Sequence, residues 1–231
     1  MISIVLPAYN EEGQLKESVA RIRSAIQAEV IIVDDGSTDG TRAEASAIPG
    51  VKVVSYSRNQ GKGYAIRAGV ARATGNIVLC LDSGSEIDTR HLDEYVEALK
   101  GADLAIASKW HPQSKVQTLA MRRFLSLGFQ MCVRLLTGVE VRDTQTGLKA
   151  FRAETMKKIV PLLAVKRYAF DVEILVVAKL LKARVVELPV TLKLEARFSL
   201  KDVLRMGLDL LGIAYRLRVR RSYQRSLRCA N

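Results

Sequence analysis

Asp82 closes an apolar run in the stretch "NIVLCLDSGSEID" (76–88), and two more acids, Glu86 and Asp88, follow within six residues. A carboxylate at the mouth of a buried strand can hold a divalent ion, and oxygen ligands suit Mg²⁺ or Mn²⁺. Such an ion bridges a diphosphate and neutralises the charge that builds on a departing nucleoside diphosphate. Glu86 offers a second carboxylate as the chain curls back, whereas Asp88 is equally placed to cap the next helix. A second acidic loop, "VDDGSTDG" (33–40), carries Asp34 and Asp35. These would repel a directly bound phosphate but accept hydrogen bonds from ribose hydroxyls or a base N–H. Asp35-Gly36 also reads as a plain turn, and Ser37 or Asp39 as a helix cap. "SRNQGKGYA" (57–65) departs from the phosphate-binding loop pattern because Gly63, not Ser or Thr, follows Lys62. What remains is a cation at a helix start between glycines, suited to a phosphate, to a base carbonyl or simply to solvent.

The elements that position these groups are legible from periodicity. Near-continuous apolar runs at 2–9, 29–36, 51–57, 76–82 and 102–109 predict strands, with helices over roughly 12–27, 39–47, 61–73 and 89–99. Unbroken apolar strands alternating with helices predict an open, mostly parallel α/β sheet covered on both faces. Ligands of such sheets sit beyond the carboxyl ends of the strands. The residues there are Pro7-Ala8-Tyr9-Asn10-Glu11, Asp34-Asp35, Ser57-Arg58-Asn59, Asp82 and Ser108-Lys109-Trp110. No G-x-G-x-x-G follows the first strand, so a dinucleotide fingerprint is absent.

The second half reads differently. Residues 116–136 predict an apolar helix with Arg122 and Arg123 on one turn. "RDTQTGLKAF" (142–151) is a polar loop, with Asp143 and Gln145, entering a short strand. Residues 168–182 predict a helix with Asp171 and Glu173 near its first turn, where carboxylates favour the helix electrostatically. Leu200, Val203, Leu204, Leu208, Leu211 and Tyr215 recur at helical spacing in the final stretch, and from residue 196 onward nine basic residues stand against two acidic ones. An amphipathic helix with a basic tail lies at an anionic bilayer, or packs its stripe on the sheet and leaves its arginines solvated.

The 231 residues, 48% of them hydrophobic, suffice for a sizeable core. The formal charge of +12 is uneven. Residues 1–110 carry 12 basic and 15 acidic side chains, whereas residues 111–231 carry 24 and 9. A basic surface on the second half would face an anionic partner. Specific nucleic-acid binding is not expected, because the basic residues are not interleaved with aromatics and match no binding motif. Cys80, Cys132 and Cys229 are odd in number and widely spaced, which implies no disulfide framework. With only His91 and His111, no zinc motif can be built. Neither a signal peptide nor an 18-residue apolar span is seen, so the expected location is cytoplasmic, at the cytoplasmic face of a membrane.

"LPAYNEE", "VDDGSTDGT", "SRNQGKGYAIRAG" and "DTQTGLKAF", in this order, resemble family 2 glycosyltransferases of the GT-A fold, in the dolichyl- or polyprenyl-phosphate mannosyl- or glucosyltransferase branch. The resemblance implies an α/β nucleotide-diphospho-sugar transferase fold with a mostly parallel central sheet. It implies one catalytic domain over 1–198 (nucleotide-binding half 1–110, acceptor-side half 111–198), followed by an amphipathic basic helix and tail over 199–231. Pro7, Ala8, Tyr9, Glu11 and Asp34 or Asp35 would line the nucleotide pocket, with Lys62 close to the base or ribose. Asp82, followed by Ser83, corresponds to the first aspartate of a D-x-D metal motif. The family usually has Asp-Ala-Asp; here Gly84 offers no side-chain ligand, and Glu86 sits where a further metal contact falls, so Asp82 and Glu86 would hold Mg²⁺ or Mn²⁺ with the donor diphosphate. Asp143 and Gln145 would face the donor sugar and the acceptor phosphate. Arg122 or Arg123, with Ser108 and Lys109, would receive the lipid phosphate, and Lys201 and Arg205 resemble a late basic element. The implied reaction is inverting transfer of a hexose from GDP-mannose or UDP-glucose to a polyprenyl or dolichyl phosphate. The implied partners are the nucleotide sugar, the lipid phosphate, an anionic membrane surface and an integral membrane partner. Alternatives are transfer to a glycolipid or polysaccharide hydroxyl, with Asp143 or Asp171 as base, and a non-catalytic sugar-nucleotide binder.

Overall fold

Four runs rich in Val, Ile and Leu build the centre of the molecule: β1 (Ile2–Ala8), β2 (Glu29–Asp34), β3 (Val51–Ser55) and β4 (Ile77–Cys80), all parallel. The computed structural model describes residues 1–84, 87–118, 120–167, 169–193 and 200–229. Side chains alternate between the two faces of the sheet. Ile4 and Leu6 pack under α1 (Leu15–Ala25), α2 (Thr41–Ala47) and α4 (Leu92–Ala98). Val5, Ile31 and Val33 pack on the opposite face, under α3 (Lys62–Val70) and α7 (Phe170–Leu180). Because both faces are covered, the strands need no polar alternation.

The full sheet runs β3-β2-β1-β4-β7-β5-β8, with β5 at Leu104–Ala107 and β8 at Val185–Leu188. Its order reverses between β1 and β4, and that switch point is where an open α/β sheet offers a crevice. β7 (Lys149–Arg152) is inserted antiparallel between β4 and β5, with Lys149 opposite Cys80. The reversed direction brings the 142–148 loop, which precedes β7, to the carboxyl edge beside Asp82. The α/β GT-A architecture with a mostly parallel sheet is thus as expected.

Several local expectations are corrected. Residues Lys115–Gln117 form a strand, β6, paired with β9 (Thr191–Lys193), so the helix expected from 116 starts later, as α5 (Ala120–Thr137). The N-cap of α2 is Gly40, not Ser37 or Asp39; Asp39 still accepts the Thr41 N–H at 3.0 Å from one residue earlier. Asp88 does not cap α4: it accepts the Arg90 N–H and pairs with the Arg90 guanidinium. After β7 come α6 (Ala153–Ile159) and a 3-10 turn. The chain ends in α8 (Leu200–Ala214), a π-helical turn (Tyr215–Val219) and α9 (Ser222–Cys229).

Candidate functional site

The acidic loops at the ends of β1 and β2 hold each other. Asn10, at φ +55°, accepts the Thr38 N–H on its Oδ1 (2.9 Å), and its own N–H goes to Ser37 Oγ (3.0 Å). Glu11 N–H donates to Thr41 Oγ1 (2.7 Å), and Glu12 Oε2 accepts the Gly40 N–H (2.9 Å). Pro7, Ala8, Tyr9 and Glu11 therefore form a fixed shelf, with Ala8 buried and Tyr9 exposed. The two candidate nucleotide carboxylates separate in role. Asp35, 3% exposed, accepts from Tyr56 Oη (2.7 Å) and from the Gln60 and Gly61 N–H groups (2.8 Å each). It ties the glycine-rich loop to β2, and burial and the Asp35 charge push the Tyr56 hydroxyl well above its ordinary value. Asp34, 2% exposed, accepts the Ser37 N–H on Oδ1 at 3.0 Å and takes no part in holding the glycine-rich loop.

Lys62 is held by two carboxylates. Its ammonium lies between Asp82 Oδ1 (2.7 Å) and Asp171 Oδ2 (3.4 Å). Lys149, 3% exposed at its side chain, continues the row with Asp171 Oδ1 at 2.7 Å and the Thr146 carbonyl at 2.8 Å. The charges thus alternate from the half-open Asp82 to the buried Lys149. Burial works to lower the Lys62 pKa, but the Asp171 and Asp82 charges outweigh it and hold it above the ordinary lysine value. A Cβ at position 147 would come within 1.8 Å of Asp82 Oδ2, so glycine there lets Asp82 keep this rotamer.

Asp143 is a knot rather than a free base. It accepts from Lys109 N–H (2.9 Å), Gln145 N–H (2.9 Å) and Thr146 Oγ1 (2.6 Å), and Lys109 Nζ lies at 3.0 Å. Burial alone would raise its pKa; Lys109 and these donors prevail and hold it below the usual carboxylate range. Beside the knot, Gln145 Nε2 and Ser108 Oγ are buried without a hydrogen-bond partner. Buried polar atoms left unpaired are costly, which sets these two apart from the satisfied groups of the knot. Arg123 lies over the Trp110 ring at 5.4 Å, at the same rim. Ser83 is buried under α1, its carbonyl accepting from Ser18 Oγ (2.6 Å). Glu86 and Ser199, and the side chains of Arg122 and Lys201, lie outside the described residues.

For a metal, the described residues offer Asp82, a half-exposed carboxylate at the switch point. Among the described residues no three His, Cys, Asp or Glu converge. Mg²⁺ commonly binds through one or two carboxylates plus substrate phosphates and waters, so Asp82 fits an ion completed by a donor diphosphate. A Cβ at Gly84 would meet nothing within 4 Å, so the missing second carboxylate leaves open space.

Sequence reasoning missed Lys149 and the Arg216–Tyr223 pair, and read Glu173 only as a helix-start carboxylate. Lys149 sits in the apolar strand "LKAF", where a lysine signals a buried partner. Glu173, fully buried, accepts the Ala164 and Val165 N–H groups (2.9 and 2.8 Å), and Tyr223 Oη donates to it at 2.5 Å. Arg216 donates to both Tyr223 Oη (2.9 Å) and Glu173 (3.3 Å). Nothing local in the sequence pairs residues 173 and 223.

Away from the sheet, α5 and α8 pack on each other and leave an apolar surface. Of fifteen exposed large hydrophobics among the described residues, twelve lie on these helices and the π-helical turn, including Phe124, Met131, Leu135, Leu204, Leu208 and Leu211. The stripe expected to face either sheet or bilayer is the exposed one. A different stripe, Met206, Leu210, Ile213 and Leu217, packs inward. No described helix is long and apolar enough to cross a membrane.

An open α/β sheet with a hydrogen-bonded acidic shelf, a half-open aspartate at the switch point and a second polar loop from an inserted strand defines a nucleotide-sugar-dependent glycosyltransferase of the GT-A fold. Residues 3–160 match glycosyl transferase family 2, and the chain belongs to that family. It is similar to a dolichyl-phosphate beta-glucosyltransferase of Trichomonas vaginalis (32% identical, 92% of this chain, 72% of the relative) and to the Homo sapiens dolichyl-phosphate beta-glucosyltransferase (30%, 93% and 75%). Its fold resembles the glucosyl-3-phosphoglycerate synthase of Mycobacterium tuberculosis solved with uridine diphosphate, at TM-score 0.72 and 21% identity over 93% of this chain and 79% of that one. The same enzyme has also been solved with Mn²⁺ and UDP-glucose. Transfer of a hexose from a nucleotide sugar follows from the family and the fold.

Proposed function

We propose that the chain transfers glucose, with inversion, from a nucleotide sugar to a polyprenyl or dolichyl phosphate at the cytoplasmic face of a membrane. The observation that carries this reading is the state of the two candidate bases. Asp143 is held by Lys109 and three further donors, and Asp171 by Lys62 and Lys149. A hydroxyl acceptor needs a base to take its proton. A phosphate monoester is already largely ionised near neutral pH and needs cations instead. Arg123 is such a cation at the rim, and arginine's fork suits phosphate; Arg122 is proposed with it. The names of the relatives support glucose and the lipid phosphate.

In this reading Pro7, Ala8, Tyr9, Glu11 and Asp34 seat the nucleotide, and Gln145 and Ser108 meet the sugar or the acceptor phosphate. Asp82 would hold Mg²⁺ or Mn²⁺, with Glu86 as a second carboxylate; such an ion neutralises charge on the departing diphosphate. Lys62 keeps Asp82 aimed along the rim. The exposed apolar faces of α5 and α8 support docking on the bilayer that holds the lipid tail, since each Leu or Phe removed from water contributes about 1.5–3 kcal/mol. An integral membrane partner is compatible with the same surface.

A second reading, transfer to a hydroxyl, has one observation behind it: the solved structures of this fold include enzymes named for 3-phosphoglycerate. Acceptor competition separates the two. With UDP-glucose or GDP-mannose as donor, polyprenyl phosphate in detergent is expected to be glycosylated, whereas polyprenol and 3-phosphoglycerate are not. Turnover of 3-phosphoglycerate or a glycan hydroxyl, with polyprenyl phosphate inert, would favour the second reading.

A further inference from the structure

A cleft of about 260 Å³ opens between α8 and the 164–167 loop, whose Lys166 carbonyl accepts the Gly63 N–H of the glycine-rich loop at 2.8 Å. Its walls carry Lys166 and Arg167 from the loop, and Leu208, Asp209, Gly212 and Arg216 from α8 and the turn after it. Arg216 is committed inward, to Glu173 and Tyr223. Asp209 faces Arg167 and Arg216, and burial raises its pKa although both arginines oppose the shift. Lys166 and Arg167 are exposed and have no ion-pair partner among the described residues; Lys166 rests only on the Tyr64 ring at 5.9 Å. With Arg216 paired to Glu173 and Asp209 set against Arg167, Lys166 leaves the cleft with a net positive charge. Gly212 adds no side chain to it, and the space admits a phosphate group with waters, each of which takes about 30 Å³.

Its position adds the second argument. Leu208 is at once a wall of the cleft and, at 68% exposure, part of the apolar face shared with Leu204 and Leu211. A molecule with acyl chains along that face would bring a charged head to Lys166 and Arg167. We infer that this cleft, whose lining includes none of the side chains assigned above to transfer, takes the phosphate-bearing headgroup of an anionic membrane lipid distinct from the acceptor. The inference rests on the reading that α5 and α8 meet a bilayer.

The test is co-sedimentation of the full chain with vesicles of phosphatidylcholine alone or with phosphatidylserine added. Two double variants each remove two charges: Lys166→Ala/Arg167→Ala in the cleft, and Arg220→Ala/Arg228→Ala at exposed positions of the tail. The wild type is expected to prefer the anionic vesicles. The cleft variant should lose about tenfold more of that preference than the tail variant, while its binding to phosphatidylcholine stays unchanged. Inorganic phosphate should weaken wild-type binding to anionic vesicles more than chloride at equal ionic strength, and should lose that advantage in the cleft variant. Equal losses in the two variants would overturn the site and leave bilayer docking intact. A wild type that binds neither vesicle would overturn both.

Discussion

The donor rim and the back helices solve opposite problems. At the rim, nearly every charge has a partner inside the protein. Asp35 holds three donors, Asp143 holds four groups, and Lys62, Asp82, Asp171 and Lys149 alternate in one row. On α5 and α8, apolar side chains lie in water, and Arg220, Arg225 and Arg228 stand exposed close by. A surface whose groups are satisfied internally is pre-organised for a small ligand; one left unsatisfied in this way marks an interaction site. Substitutions in the two regions should therefore fail differently, at the rim in turnover or folding and on the back in membrane partition alone.

The largest expected effect is Asp82→Ala, which should reduce kcat/KM by about 10²–10³-fold, the scale of losing one preorganised group that stabilises transition-state charge, with an unchanged melting curve. Next is Asp171→Ala, which leaves Lys149 buried without its carboxylate; a urea melt should show a loss of about 3–5 kcal/mol. On the back, Leu204→Ser with Leu208→Ser should weaken vesicle binding by about tenfold or more, while stability stays within about 0.5 kcal/mol of wild type. Gly84→Asp should fit its open space and tighten Mn²⁺ binding, measured by titration calorimetry in the presence of nucleoside diphosphate. The smallest effect is in acid. The Asp143 pKa is depressed in the folded protein, so its stabilisation is complete above the unfolded carboxylate value of about 4 and fades as pH falls through the lower folded one. Asp143→Asn should be less stable at neutral pH, and its stability should fall less between pH about 4 and 2.

Strand and helix order in the first half was legible because a parallel sheet covered on both faces writes itself as unbroken apolar runs. The rim residues followed from the ends of those runs. What stayed hidden was pairing across long sequence separations. Nothing in "VDDG" says that Asp35 would be consumed by residues 56, 60 and 61 while Asp34 caps its own turn through the Ser37 N–H. Lys62 gave a cation at a helix start, and only the fold supplied the two aspartates, 20 and 109 residues away, that hold it. The C-terminal stripe was visible as a period, but α8 is apolar on two sides, and periodicity alone does not say which side packs. The buried Tyr223 ties the last helix to Glu173 in a stretch that reads as a basic tail.

The central claim is that the bond formed joins sugar carbon to phosphate oxygen. The product made from nucleotide-activated glucose and polyprenyl phosphate can be examined by NMR. The account predicts an anomeric proton coupled to phosphorus, with the splitting of a β-linked glucosyl phosphodiester. An anomeric proton without phosphorus coupling, from glucose attached to a carbon-bound hydroxyl, would contradict it.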